Sequence, residues 1–139
     1  MNIGCGRTHI EDEFVPYVSQ FEQEALKRGK QIQVKTSIEF GTPPFNEAIG
    51  YCDVNPFNKK IIIYEPLWSR FGELSKRALL FHELGHCELG KFHDDTEGSV
   101  QIEGITYPTV SIMNSHIGKI IKNYWRLEAF YLDSFFDVK

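Results

Sequence analysis

The run Phe81 to Asp95, "FHELGHCELGKFHDD", holds three of the chain's five histidines, with Glu83 directly after the first of them. On a helix, His82 and His86 differ by about 40° of rotation and one turn of rise, so both project from one face. Two imidazoles placed this way can share a divalent ion. Glu83, one position on from His82, reaches a water on that ion without entering its coordination shell. The chemistry on offer is hydrolytic: zinc lowers the pKa of such a water to about 7 and polarises a carbonyl, while the carboxylate takes the proton. A catalytic zinc also needs a third protein ligand and one open position. His93 is the nearest candidate, because a glycine at position 90 can take positive φ and turn the chain back toward His82 and His86. Asp94 is its closest rival, with Asp95 beside it. Glu97 and Glu103 lie further off and suit an acidic, solvated loop.

The surrounding elements must present that face to a cleft. Apolar residues at Phe14, Val18, Phe21 and Ala25 predict a first helix between Glu11 and Lys30, with Gly29 as its stop. "QIQVKTSIEFG", residues 31–41, alternates Ile32, Val34, Thr36, Ile38 and Phe40 against polar neighbours, the pattern of a half-buried strand. "AIGYCDV" and "KKIIIYEP", joined by the turn-forming "NPFN", predict a hairpin. Ile61 to Tyr64 is apolar on both faces and suits the inner position, leaving 48–54 nearer the edge. A second helix is predicted from Glu73 to about Leu89, capped at Gly90; Leu80, Phe81, Leu84 and Leu89 bury its other side. A loop of about two dozen residues follows, of a length usually kept for function. A last helix, His116 to Phe136, lines up Ile117, Ile120, Ile121, Tyr124, Leu127 and Tyr131. The order, helix, strands, helix, long loop, helix, gives an α+β fold in one domain.

Composition narrows the function. The 139 residues suit one domain, with residues 1–10 read as a flexible terminus, and 42% hydrophobic content is enough for a real core. A formal net charge of -4 provides no basic stripe for phosphates, which excludes nucleic acid as the expected partner. No apolar run approaches the roughly 18 to 20 residues of a membrane helix, so no transmembrane segment is expected. Three cysteines, at 5, 52 and 87, cannot form a complete disulfide framework, but Cys52 and Cys87 can pair if the protein is exported. The start shows no signal peptide, although "NIGC" ends like the Gly-Cys junction of bacterial lipoproteins, which leaves localisation open.

The series His82, Glu83, His86, Gly90, His93, followed by "SIMN" at Ser111 to Asn114, resembles the metzincin clan of zinc endopeptidases. The resemblance implies one zinc on His82, His86 and His93, Glu83 as general base and acid, and Met113 as the methionine of a turn beneath the metal. It also implies a minimal version of that clan's fold, a small twisted mixed sheet with an N-terminal helix, an active-site helix and a C-terminal helix, and a peptide or protein substrate. The substrate would bind in extended form along the edge strand near Gly50 and Tyr51. The sequence departs from the clan in two ways. One extra residue separates His86 from the glycine, and Ser115 stands where some members carry a tyrosine; Tyr107 and Tyr124 are the substitutes available to stabilise an oxyanion. The length suits a compact bacterial or phage enzyme.

Three other readings stand beside it. "RLEAF" resembles the second motif of ImmA-type cytosolic regulatory peptidases, which would make Glu128 the third ligand. A structural zinc module would normally close with four protein ligands. A catalytically inactive zinc-binding protein would have no use for Glu83. Met113 and Cys87 also read as core filler and His116 as a surface residue, and an inhibitory thiol from Cys5 is a further option.

Overall fold

A computed structural model describes residues 8–45, 48–55 and 57–138. The lipoprotein-like junction and Cys5 lie outside them. Thr8 to Ile10 run beside the first strand: Thr8 Oγ1 donates to Lys35 O, His9 N to Ser37 Oγ and Ile38 N to His9 O.

The first apolar stripe forms α1 (Val15–Lys27), entered through a 3-10 turn at Asp12–Phe14. Proline in its first turn removes only an N–H that has no partner in a helix start. Gly29 ends the helix at φ +78°, with Lys30 N bonded to Ala25 O and Gly29 N to Leu26 O, a Schellman pair that satisfies the last carbonyls.

Three strands form the main sheet: β1 (Ser37–Phe40), β2 (Gly50–Asp53) and β3 (Lys60–Ile63). Their order is β1-β3-β2, with β1 parallel and β2 antiparallel to β3. The predicted hairpin is present with β3 inside and β2 at the edge. Ile61 and Ile63 are fully buried, which is why the run that is apolar on both faces takes the centre. The predicted strand over 31–41 pairs only in its second half. Along the first half, side-chain carboxylates replace a neighbouring strand: Glu22 accepts from Val34 N, and Glu88 from Lys35 N and Thr36 Oγ1. Alternation alone reports half-burial and cannot distinguish a strand partner from a carboxylate.

A short helix, α2 (Glu65–Trp68), leads into α3 (Glu73–Cys87), which carries the histidine motif. Phe21 of α1, Phe81 of α3 and Phe135 pack with ring centroids 5.4 to 6.2 Å apart, holding three helices in one core. The predicted long loop is in fact a second, two-stranded sheet, β4 (Glu97–Ile102) and β5 (Ile105–Val110). Glu103 and Gly104, both at positive φ, make its two-residue turn. Val100, Ile102, Ile105 and Tyr107 do alternate around that turn, but Pro108 interrupts the run and argues against a strand, and only Val100 on β4 is even half-buried. The last helix, α4 (Ile117–Phe135), buries Ile120, Tyr124, Leu127 and Tyr131 as expected and bends at Leu127.

A disulfide joins Cys52 in β2 to Cys87 at the end of α3, 35 positions apart. It ties the edge strand to the helix of the histidines. Closing a loop of that size stabilises a fold by about 4 kcal/mol through the unfolded chain. The double variant Cys52→Ser, Cys87→Ser is therefore expected to melt roughly 12 °C lower by calorimetry. A shift within about 3 °C would show that the bond is not a staple.

Candidate metal centre

Helix α3 stops at Cys87, two residues short of the predicted end, and Lys59 Nζ caps its last carbonyl at 3.0 Å. Gly90, at φ +65°, then reverses the chain, so that Lys91 N bonds Gly85 O at 2.9 Å. Three residues later Asp94 N bonds Met113 O, also at 2.9 Å. Between these two anchors His93 is delivered to the face of α3 that carries His82 and His86. The ring centroids lie 4.9 Å apart for His82–His86 and His86–His93, and 5.4 Å for His82–His93. One ligand nitrogen from each falls within 4.8 Å of the others, so the three can hold a metal ion.

The remaining nitrogens show that the set suits a metal. His82 Nδ1 is 2.6 Å from Ile112 O, and His86 Nδ1 is 2.7 Å from Lys91 O. A carbonyl only accepts, so each Nδ1 carries the proton and each Nε2 keeps a lone pair for a ligand bond. Burial pushes the His82 ring down to about 4 and lowers His86 as well, with the neighbouring imidazoles adding to the shift. Both shifts favour the neutral ring that ligation requires. Three imidazoles suit zinc and its divalent neighbours. Burial falls from His82 through half-buried His86 to exposed His93, so the centre opens on one side.

Glu83 is 5% exposed and has no hydrogen-bond partner among the described residues. Burial without a compensating charge pushes its carboxyl up to about 8. The side chain lies against the edge strand: a Cβ at Gly50 would meet Glu83 Oε2 at 3.0 Å and Cγ at 3.2 Å. Glycine at position 50 is what allows that approach. A similar relation holds beneath the helix, where Met113 Sδ fills the space a Cβ on Gly85 would need. Met113 sits in a tight turn closed by Asn114 N to Ser111 O and by Met113 N to Ser111 Oγ. The predicted turn methionine is therefore packed under the helix that presents His82 and His86.

The other candidates are engaged elsewhere. Asp94 accepts from Thr96 N. Asp95 accepts from Ser115 N at 2.7 Å and from Ser115 Oγ at 2.9 Å. Neither joins the histidines, and Glu97 and Glu103 sit on the second hairpin. Glu128 is paired with Arg77. Tyr124 is buried, Tyr107 packs under Arg126, and neither borders the cleft; Tyr51 does. His116 is exposed, its N–H held by Asn114 Oδ1 at the start of α4.

The sequence does not reveal the Gly50–Glu83 approach, the Gly85–Met113 contact or the Asp95–Ser115 link, since nothing local marks partners twenty or more residues apart. Asp95 clamps the His93 segment to the methionine turn. Asp95→Ala is expected to weaken zinc binding by roughly ten- to a hundredfold, as loss of an outer partner does, when titrated against a chromophoric chelator. Unchanged affinity would remove Asp95 from the support of the centre.

A cleft of about 720 Å³ opens over the histidines, bounded by β2 on one side and the Gly90–His93 turn on the other. Tyr64 N bonds Ile49 O at 2.7 Å, which sets the phase of the β2–β3 ladder. Tyr51 and Asp53 therefore spend their main-chain groups on β3, while Gly50 and Cys52 turn theirs to the free edge. Of the two residues expected beside an extended peptide, Gly50 faces the free edge and Tyr51 does not. Set beside protein-family models, curated proteins and solved structures, the chain matches none.

Proposed function

We propose that the protein is a zinc-dependent endopeptidase. The observation that carries this reading is the pairing of three converging imidazoles with a buried, unpartnered carboxylate one residue from the first of them, at the floor of a cleft edged by an open strand. Zinc held by His82, His86 and His93 would supply an acidic water and polarise the scissile carbonyl. Glu83 accepts the proton from the attacking water and returns it to the departing amine nitrogen. The outward N–H and C=O of Gly50 and Cys52 hold an extended peptide antiparallel to β2, with Glu83 directly behind that strand.

A structural ion is disfavoured, because three imidazoles leave a coordination position open where such sites normally close with a fourth protein ligand. The regulatory-peptidase reading requires Glu128, which Arg77 occupies. The Cys52–Cys87 bond also supports an oxidising compartment over the cytosol. The experiment is direct. Protein purified without added metal should carry or take up one zinc per chain and digest an unfolded protein, a chelator should stop the digestion, and zinc should restore it. Absence of metal binding on titration would end the proposal.

A further inference from the structure

Three phenylalanines of the chain's eleven stand out as open to solvent: Phe57, Phe92 and Phe45, at 90%, 87% and 64% exposure. Two of the three, Phe92 and Phe45, line the cleft above the histidines. Phe92 directly precedes His93 in sequence. Its backbone is fixed on both sides, by Lys91 N on Gly85 O, by His86 Nδ1 on Lys91 O and by Asp94 N on Met113 O. The ring is therefore held out into the cleft by a bonded turn. Across from it, Phe45 stands edge-on to Tyr51 of the edge strand, with centroids 5.5 Å apart at 74°, and Val54 extends the same wall at 60% exposure. Such apolar surface left open around a reactive floor gains most when a ligand covers it.

Charge points the same way. Among the described residues lining the cleft, Glu83 is the sole carboxylate, and Lys91, the sole lysine or arginine, is already paired with Asp137. Among these described lining residues no free cation awaits an acidic side chain, and no exposed carboxylate awaits a basic one. We propose that the cleft selects peptides with a bulky apolar or aromatic side chain beside the scissile bond, and that Phe92 and Phe45 are the specificity-determining rings that receive it. This names the substrate class for the endopeptidase reading and rests on it.

The test uses the zinc-loaded full chain and two peptides that differ only in Phe or Ala next to the cleavage point. Wild type should prefer the Phe peptide in kcat/KM by at least about tenfold, the usual scale of discrimination by an apolar pocket. Its cuts in a reduced, alkylated protein, mapped by mass spectrometry, should cluster beside Phe, Tyr, Leu, Met and Ile. In the double variant Phe45→Ser, Phe92→Ser the preference should collapse toward unity while zinc affinity stays at the wild-type value. A second readout needs no turnover: zinc-loaded Glu83→Gln should bind the Phe peptide at least about tenfold tighter than the Ala peptide by fluorescence anisotropy, and should lose that margin when both serines are added. Cleavage without apolar preference, or a preference that survives both serines, overturns the specificity claim and leaves the peptidase reading standing. If wild type cuts nothing, the peptidase reading falls, and the binding margin alone then decides whether the cleft takes apolar side chains.

Discussion

Glu83→Gln is expected to keep the proposed zinc and to lose peptide hydrolysis by roughly 10²- to 10⁴-fold, the range contributed by a positioned general base. The amide is nearly isosteric, so it fits the space between α3 and Gly50 that the carboxylate occupies. His82, His86 and His93 are untouched, and the loss therefore falls on proton transfer and spares metal binding. A peptide-cleavage assay with metal analysis on the same sample separates the two. Activity within about tenfold of wild type would remove Glu83 from the reaction.

The same substitution has a signature without metal. In the metal-free fold Glu83 holds its proton up to about pH 8, against an ordinary value of 4.5. Between those values the native state binds more protons than the unfolded chain, so stability falls as pH rises. His82 acts in the opposite direction: its folded value of about 4 lies below the ordinary 6.5, so its contribution is complete above pH 6.5 and is lost as pH falls. From about pH 6.5 to 8 the Glu83 effect is the one left, and the metal-free melting temperature should decline over that window. In Glu83→Gln the decline should vanish. A flat profile in the wild type would show that the carboxyl is not the buried, unpartnered group described here.

The second large effect is on His93→Ala, expected to weaken zinc by more than about a hundredfold, since loss of an outer-shell partner alone costs ten- to a hundredfold. His82 and His86 would remain, held by Ile112 O and Lys91 O, but with two protein ligands in place of three. Glu128→Ala provides the contrast. It breaks the Arg77 ion pair between α3 and α4 and should lower thermal stability while leaving zinc affinity unchanged. The reverse pattern, with affinity following Glu128 and indifferent to His93, would replace the three-histidine centre with the regulatory-peptidase arrangement.

Much of this was legible in the residues. The three long helices, the hairpin with its inner β3 and its edge β2, and the turns at Gly29 and Gly90 follow from period, capping and φ preferences, which act over a few residues and leave a local trace. The spacing of His82, Glu83 and His86 belongs to the same kind of information, because a helix fixes their relative directions without help from the rest of the fold. The second hairpin left only a short trace, Val100, Ile102, Ile105 and Tyr107 around Glu103 and Gly104, which Pro108 interrupts and which buries little of either strand.

Alone, then, the sequence determined the helix, the pair of imidazoles on one of its faces, and the carboxylate between them. The tertiary structure decided that the third histidine, and not Asp94 or Glu128, completes the group, because Gly85 and Met113 lend the carbonyls that hold either side of His93. It decided also that Asp95 would clamp Ser115, that Cys52 would staple the edge strand to α3, and that Gly50 and Gly85 would be glycines for lack of room. Each of these is a contact between residues distant in the chain, and such contacts come into existence only once a core has brought their backbones together.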